Sequence, residues 1–208
     1  MMASPKTVRI SQIDFYASHA EEYCRSTVCL DMKAVYEQFL NSLSAGSHIL
    51  DAGCGSGRDT KAFLDRGFLV SAFDASPEMA LFASKYTGQT CRVLRFQQLE
   101  FHEEFDGIWA CASFLHVPKH EMKGVIRRLS RALKPGGLMY ASFIESEDER
   151  ISNDGRLYNC YTVESFSRRV GKIPALVRMG SWKSAEISPS RERAPWLNLL
   201  FKRISPAG

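Results

Sequence analysis

Three glycines in five positions, Gly53, Gly55 and Gly57, sit in the run from Ile49 to Thr60. The apolar stretch before them, Ser47 to Ala52, reads as a strand. After them helical spacing resumes at Thr60, Phe63 and Leu64 and stops at Gly67. Glycine lets a backbone turn sharply and approach a ligand closely, and the amides at a helix start are open to a carboxylate or another acceptor. The chain therefore contains a strand, a turn and a helix, with a ligand expected on the turn, although a glycine turn after a strand can also be only a turn.

The pattern recurs. A second strand, Phe68 to Phe73, ends at Asp74, and Ser76-Pro77-Glu78 opens the next helix with a cap, a first-turn proline and an early acid. Cys91 to Phe96 reads as a third strand and Phe105 to Cys111 as a fourth. Glu121 to Leu133 reads as a helix with Val125, Leu129 and Leu133 on one face. Lys134 to Gly137 cannot continue a helix, and Leu138 to Phe143 follows as a fifth strand. Alternating strands and helices imply a mostly parallel sheet, because parallel neighbours need a crossover. Two helices precede the first strand within residues 14–43, one carrying Phe15, Tyr16, Ala20 and Tyr23, the other Met32, Val35, Tyr36, Phe39 and Leu40. Beyond residue 144, Glu145 to Asn153 reads as a loop and Thr162 to Val170 as a helix. Leu176 to Ile187 and Trp196 to Lys202 read as a late antiparallel pair.

The chain has 208 residues, 45% hydrophobic and 24% charged, which suits one globular α/β domain and excludes disordered, fibrous and membrane classes. No apolar run reaches the length of a membrane span, and Met1 to Gln12 lacks a secretory stretch, so a cytoplasmic location is expected. The net charge of +4 permits an anionic partner without requiring one. Six scattered cysteines, with no CxxC pair and no zinc spacing, predict reduced thiols and no metal.

A dinucleotide site would show G-x-G-x-x-G, but its third glycine position is Arg58 and the spacing is G-x-G-x-G, which disfavours that reading. Asp74 lies 17 residues past Gly57, where an acid can accept both hydroxyls of a ribose in either kind of cofactor.

Four stretches carry a family resemblance: Leu50 to Gly57, Phe73 to Pro77, Phe105 to Ile108 through His116, and Leu133 to Gly137. In order and spacing they resemble the motifs of class I S-adenosylmethionine (SAM)-dependent methyltransferases, over roughly residues 47 to 143. The resemblance implies a Rossmann-like α/β fold: a mostly parallel seven-stranded sheet with helices on both faces and an antiparallel closing strand. It implies one domain over residues 1–208, made of a helical cap (1–45), a SAM-binding core (46–143) and a substrate-side part (144–208). The glycine loop, with Asp51, Gly53, Cys54, Gly55 and Gly57, would hold the methionine part of SAM. Asp74 would bind the ribose and Ala75 would flank the adenine. Gln97 and Gln98 stand where an acid commonly contacts the adenine edge. Ala110, Cys111 and Ala112 would line the sulfonium. Plainer readings stand beside these: Asp51 orients the loop through its amides, and Cys111 is a packed thiol.

Methyl transfer is an in-line displacement in which the cofactor carries the chemistry and the protein supplies orientation and a dry pocket. Soft acceptors such as sulfur, selenium, tellurium or arsenic need no base. An oxygen or amine acceptor needs one, with His116 or a tyrosine, Tyr16 or Tyr161, as candidates. His116 can equally be a structural hydrogen-bonding group. Tyr16 and Tyr23, seven apart on one helical face, suit core packing or a lid. Arg156, Tyr158 and Tyr161 form a polar and aromatic set for substrate or sulfonium. The compact pattern and the Gly-Arg-x-Tyr segment resemble, more weakly, the small bacterial methyltransferases related to tellurite-resistance enzymes. A small-molecule acceptor and a monomer or homodimer are expected. The alternatives are an RNA or DNA methyltransferase and a non-catalytic SAM-binding protein. The first draws on the basic tail (Arg168, Arg169, Lys172, Arg178, Lys183, Arg191, Arg193, Lys202 and Arg203, against Glu186 and Glu192). The second would show a degraded loop or a lost ribose acid, and neither is seen.

Overall fold

The structure, a computed structural model, describes residues 12–151, 156–173, 175–184 and 195–205. Helices α1 (Gln12–Thr27) and α2 (Lys33–Leu40) precede β1 (His48–Ala52). Then α3 (Arg58–Leu64), β2 (Leu69–Asp74), α4 (Pro77–Thr87), β3 (Cys91–Val93), β4 (Phe105–Ala110), α5 (Met122–Ala132) and β5 (Leu133–Ile144) alternate along the chain. Strands β6 (Glu149–Ile151) and β7 (Leu157–Asn159), helix α6 (Val163–Val170) and strands β8 (Leu176–Ser184) and β9 (Trp196–Arg203) follow. Local chemistry sets the ends. Ser76 Oγ accepts from the Met79 amide at 3.3 Å and Pro77 fills the first turn of α4, while Gly88, at φ 78°, closes it. Thr162 and Ser165 form a reciprocal cap at the start of α6.

The seven-stranded sheet has the order β3-β2-β1-β4-β5-β9-β8. From β3 to β5 all neighbours are parallel; β9 runs antiparallel to β5 and to β8. The chain steps outward from β1 to β2 and β3, then returns to β1's other side with β4. At such a switch point the loops leaving β1 and β4 diverge and open a crevice beyond the strand ends.

Alternate residues of the central strands feed opposite faces. Ile108 joins Phe114, Phe143, Phe166 and Phe201 under α5 and α6. Trp109 joins Phe39, Phe63 and Tyr140 under α2 and α3, with the Trp109 and Tyr140 rings stacked 3.8 Å apart. Gly107 is glycine for space, since a Cβ there would stand 2.7 Å from Phe39.

The expected architecture is the one observed, including helices on both faces and β9 as the single antiparallel closing strand. Several boundaries differ. Glu145 to Asn153 is not wholly a loop, because β6 pairs antiparallel with β7 as a small separate sheet. The third strand ends at Val93, and Phe96–Gln98 is a 3₁₀ turn capped by Gln98, whose Oε1 accepts from the Arg95 amide. Leu133 already pairs with Phe105 ahead of the Pro135-Gly136 turn, so β5 starts before that turn with a bulge. β8 is described to Ser184; positions 185–187 of the expected strand lie outside the described residues. Among the described residues no helix is long and apolar enough to cross a membrane, and no cluster of His, Cys, Asp and Glu could hold a metal. Of the six cysteines, Cys24, Cys54, Cys91 and Cys160 are buried, Cys111 is half-buried and Cys29 is exposed.

Candidate functional site

A cavity of about 1060 Å³ lies across the carboxyl ends of β1, β2, β4 and β5, with α1 along one side. Its volume suits a nucleoside-sized ligand together with a second small molecule.

At one end stands Asp74, the last residue of β2. Its Oδ2 accepts from the Gly55 amide and its Oδ1 from the Ser76 amide, each at 2.9 Å. Burial raises this carboxyl above its ordinary value, and the amides of Ser76, Gly55 and Ala75 oppose that rise. The amides leave part of the carboxylate's acceptor capacity unused, so it can take a hydroxyl from the cavity. The three glycines have separate tasks. A Cβ on Gly53 would lie 2.6 Å from Ser113 Cβ, and one on Gly57 would lie 2.9 Å from Thr87 and 3.0 Å from Ala83. A Cβ on Gly55 would meet only Met79, at 3.7 Å, so the space above Gly55 is open cavity. The glycine loop and Asp74 therefore fit a nucleoside-type cofactor.

Gln97 and Gln98 line the same end, beside Phe96. Gln98 is engaged in its turn, whereas Gln97 donates to Glu121 Oε2 at 2.5 Å. An acid therefore stands beside Gln97 on the cavity wall, supplied by the residue just ahead of α5. Its sequence distance from the loop hid it.

At the other end, His116 Nε2 lies 3.0 Å from the Tyr16 hydroxyl, and His116 Nδ1 lies 3.3 Å from the Leu157 carbonyl. A carbonyl only accepts, so Nδ1 carries the proton and Nε2 accepts from Tyr16; these partners assign the tautomer. Arg156 Nη1 donates to the Tyr16 oxygen at 3.1 Å, and its guanidinium lies over the rings of Phe15, Tyr16 and Tyr158 at 4.2, 5.5 and 5.4 Å. Burial, with Tyr23 nearby, holds the Tyr16 phenol well above its ordinary value in spite of Arg156, so it stays neutral. Tyr23 packs edge-on to Tyr16 at 5.1 Å. Farther along α1, Thr27 donates to Ser56 at 3.1 Å and Cys24 contacts Met79 at 3.6 Å. One helix thus touches both ends of the cavity.

Between the ends the wall carries Arg58, Asp59, Cys111, Ser142 and Asn198. Asp59 is buried and accepts from Tyr36, Trp109 and Arg58. Burial pulls its carboxyl upward, but Arg58, Tyr36 and Trp109 together hold it below the ordinary value. Burial pushes the Cys111 thiol up to about 12, so it is a neutral group.

Of the residues singled out from sequence, Gly53, Cys54, Gly55, Asp74, Ala75, Gln97, Gln98, Cys111, His116, Tyr16, Tyr23, Arg156 and Tyr158 come together on this cavity. Four do not reach its wall. Asp51 is turned under the loop, where it accepts from Thr60 Oγ1 at 2.6 Å. Gly57 starts α3 against α4. Ala110 is fully buried within β4. Tyr161 packs against Phe143 and Phe166, with its hydroxyl buried and without a hydrogen-bond partner among the described residues. Arg58, Asp59, Glu121, Ser142 and Asn198 were not singled out; their place on the wall depends on contacts far apart in sequence. Part of the basic tail is engaged internally: Arg203 pairs with Glu103, Lys183 with Glu145, and Arg169 donates to the Lys119 carbonyl. Arg191 and Arg193 lie outside the described residues.

Comparison with known proteins agrees with this geometry. Residues 49–137 match the family model of the methyltransferase domain. An uncharacterized methyltransferase of Staphylococcus carnosus is 28% identical over 121 residues, which cover 57% of this chain and 58% of that protein. The chain spans about half the length of the curated relatives it matches. Among solved structures, a SAM-dependent methyltransferase of Methanosarcina mazei superposes with TM-score 0.74 at 17% identity, covering 81% of this chain and 98% of that one. The 1,6-didemethyltoxoflavin-N1-methyltransferase of Burkholderia thailandensis, solved with 1,6-didemethyltoxoflavin and S-adenosylhomocysteine bound, gives TM-score 0.71 at 20% identity over 97% of this chain and 95% of that one. The fold is that of these Rossmann-like SAM-dependent methyltransferases, and the segment holding the glycine loop, Asp74 and His116 matches a methyltransferase domain.

Proposed function

We propose that the protein transfers a methyl group from SAM to a small molecule, at an oxygen or nitrogen that gives up a proton. The observation that carries this reading is the continuity of one cavity from the Asp74 carboxylate and the open space above Gly55 to the His116 and Tyr16 pair. The described residues act as one unit in this reading, with α1 as the cap. Asp74 takes the ribose hydroxyls, the Gly53–Ser56 turn takes the methionine part, and Phe96, Gln97 and Glu121 bound the adenine.

SAM supplies an electrophilic methyl on a sulfonium. The remaining work falls to the protein: to exclude water, to hold the acceptor in line, and to take its proton. His116, with Nδ1 tied to Leu157, has Nε2 as its accepting nitrogen, and Tyr16 occupies it until an acidic acceptor group takes its place. Tyr23 and Tyr158 are aromatic faces for the acceptor. The kinship in fold with an enzyme that methylates a heterocyclic nitrogen supports a small planar acceptor.

Isothermal titration with SAM, S-adenosylhomocysteine and NADH tests the cofactor. Micromolar binding of the first two alone supports the reading; binding of NADH alone refutes it. An acceptor screen monitored by S-adenosylhomocysteine release, running from phenols and heterocyclic amines to chalcogen and arsenic oxyanions and tRNA, tests the substrate class. Turnover confined to tRNA would overturn it.

A further inference from the structure

We infer that Arg58 selects a methyl acceptor carrying a carboxylate, which it holds through the part of its guanidinium that Asp59 leaves unused. The inference rests on the methyltransferase reading and adds to it the charge of the substrate.

Arg58 is the first residue of α3, directly after the glycine loop. Asp59 holds it in a two-pronged pair, with Arg58 Nε donating to Oδ1 at 2.6 Å and Nη2 to Oδ2 at 3.0 Å. Asp59 is itself fixed, because Tyr36 donates to Oδ1 at 2.6 Å and the Trp109 indole to Oδ2 at 2.7 Å. Four donors fill the carboxylate, keep it ionised and set the plane of the guanidinium.

A guanidinium offers five N–H groups, and the pair with Asp59 uses two of them. A third contact, from Nη2 to Cys111 Sγ, is 3.9 Å long and goes to a weak sulfur acceptor. Nη1 has no hydrogen-bond partner among the described residues. The side chain keeps 17% of its surface exposed, and it forms cavity wall beside Cys111, Ser142 and Asn198. Besides Asp59, the carboxylates among the described residues of that wall are Asp74 and Glu121, at the end that holds Gln97. A structural ion pair alone would not require the guanidinium to line a cavity. A fixed guanidinium with N–H groups to spare matches a planar oxyanion, and a lysine in its place would give charge without the fork. The aromatic faces of Tyr16, Tyr23 and Trp196 across the cavity suit the apolar remainder of such a molecule.

The test uses benzoate and benzamide, which share a shape and differ in charge. Each is titrated into the full chain loaded with S-adenosylhomocysteine, by calorimetry and by following the Arg58 Nε–Hε resonance. The expected result is a benzoate preference of about tenfold or more, with the Arg58 resonance shifted by benzoate alone. Arg58→Gln should abolish the preference while S-adenosylhomocysteine binds as before, and Arg58→Lys should keep part of it. Equal binding of the two probes to the wild type would overturn the inference, as would a preference that survives in Arg58→Gln or an unmoved Arg58 resonance. Because the resonance is read on the wild type, it decides between these outcomes even if a variant fails to fold. Failure of S-adenosylhomocysteine to bind before any probe is added would instead strike the methyltransferase reading.

Discussion

The Tyr16 hydroxyl lies 3.0 Å from His116 Nε2, joining α1 to the loop after β4 across 100 residues of sequence. If His116 takes the acceptor's proton, His116→Gln should lower kcat by about 10² to 10⁴ while leaving the SAM Kd unchanged. Steady-state kinetics with calorimetry on the same preparation separates the two; an unchanged kcat would reduce His116 to a structural hydrogen bond.

Tyr16 stays a neutral phenol because burial raises it, so it contributes no ionisation over about pH 6 to 9. Tyr16→Phe should therefore change the height of the kcat profile and leave its shape alone. A limb that vanishes in the variant would mean that the phenol itself titrates in the assay range.

Asp74→Ala should weaken SAM by about 1 to 3 kcal/mol, the cost of removing a charged acceptor from two hydroxyls. Calorimetry on the variant checks this. An unchanged affinity would place the ribose elsewhere.

The glycines should separate in their effects. Gly55→Val, whose side chain enters open cavity, should abolish SAM binding and cost less stability than the others, with strain at φ 55° as its main structural penalty. Gly53→Ala and Gly57→Ala push a Cβ to 2.6 Å from Ser113 and 2.9 Å from Thr87, so their main loss should be in thermal stability. Paired melting and SAM titration of the three variants reads the contrast, and a Gly57→Ala as stable as the wild type would refute it.

Asp59→Asn should destabilise the fold by about 1 to 3 kcal/mol at neutral pH, because the half-buried Arg58 loses its counter-charge and Tyr36 and Trp109 lose a charged acceptor. The carboxyl is held below its ordinary value of 3.8, so its contribution is complete above that pH and disappears as the pH falls through the lower folded value. Urea unfolding at several pH values should show the gap between wild type and variant narrowing only in that acid window.

Much of the frame can be read from sequence because its signals are local. Ser76-Pro77-Glu78 caps its own helix, and the glycines of the loop act within a few residues of each other. The short strand Glu149–Ile151 escaped because three residues, two of them charged, carry no period; it exists through its pairing with β7. The wall of the cavity was harder for a different reason. Glu121 meets Gln97 across 24 residues and Trp109 meets Asp59 across 50, and neither pairing has a sequence pattern to announce it. Tyr161 and Tyr158 look alike in sequence, but only Tyr158 faces the cavity, while Tyr161 turns into the Phe143 and Phe166 cluster.

Helix α1 lends Thr27 to the glycine loop and Tyr16 to His116, so a single helix ties down both ends of the cavity. In the proposed reaction the two ligands would share that one cover. Release of the demethylated cofactor and entry of the next acceptor would both break contacts of α1, which makes movement of that helix the expected slow step.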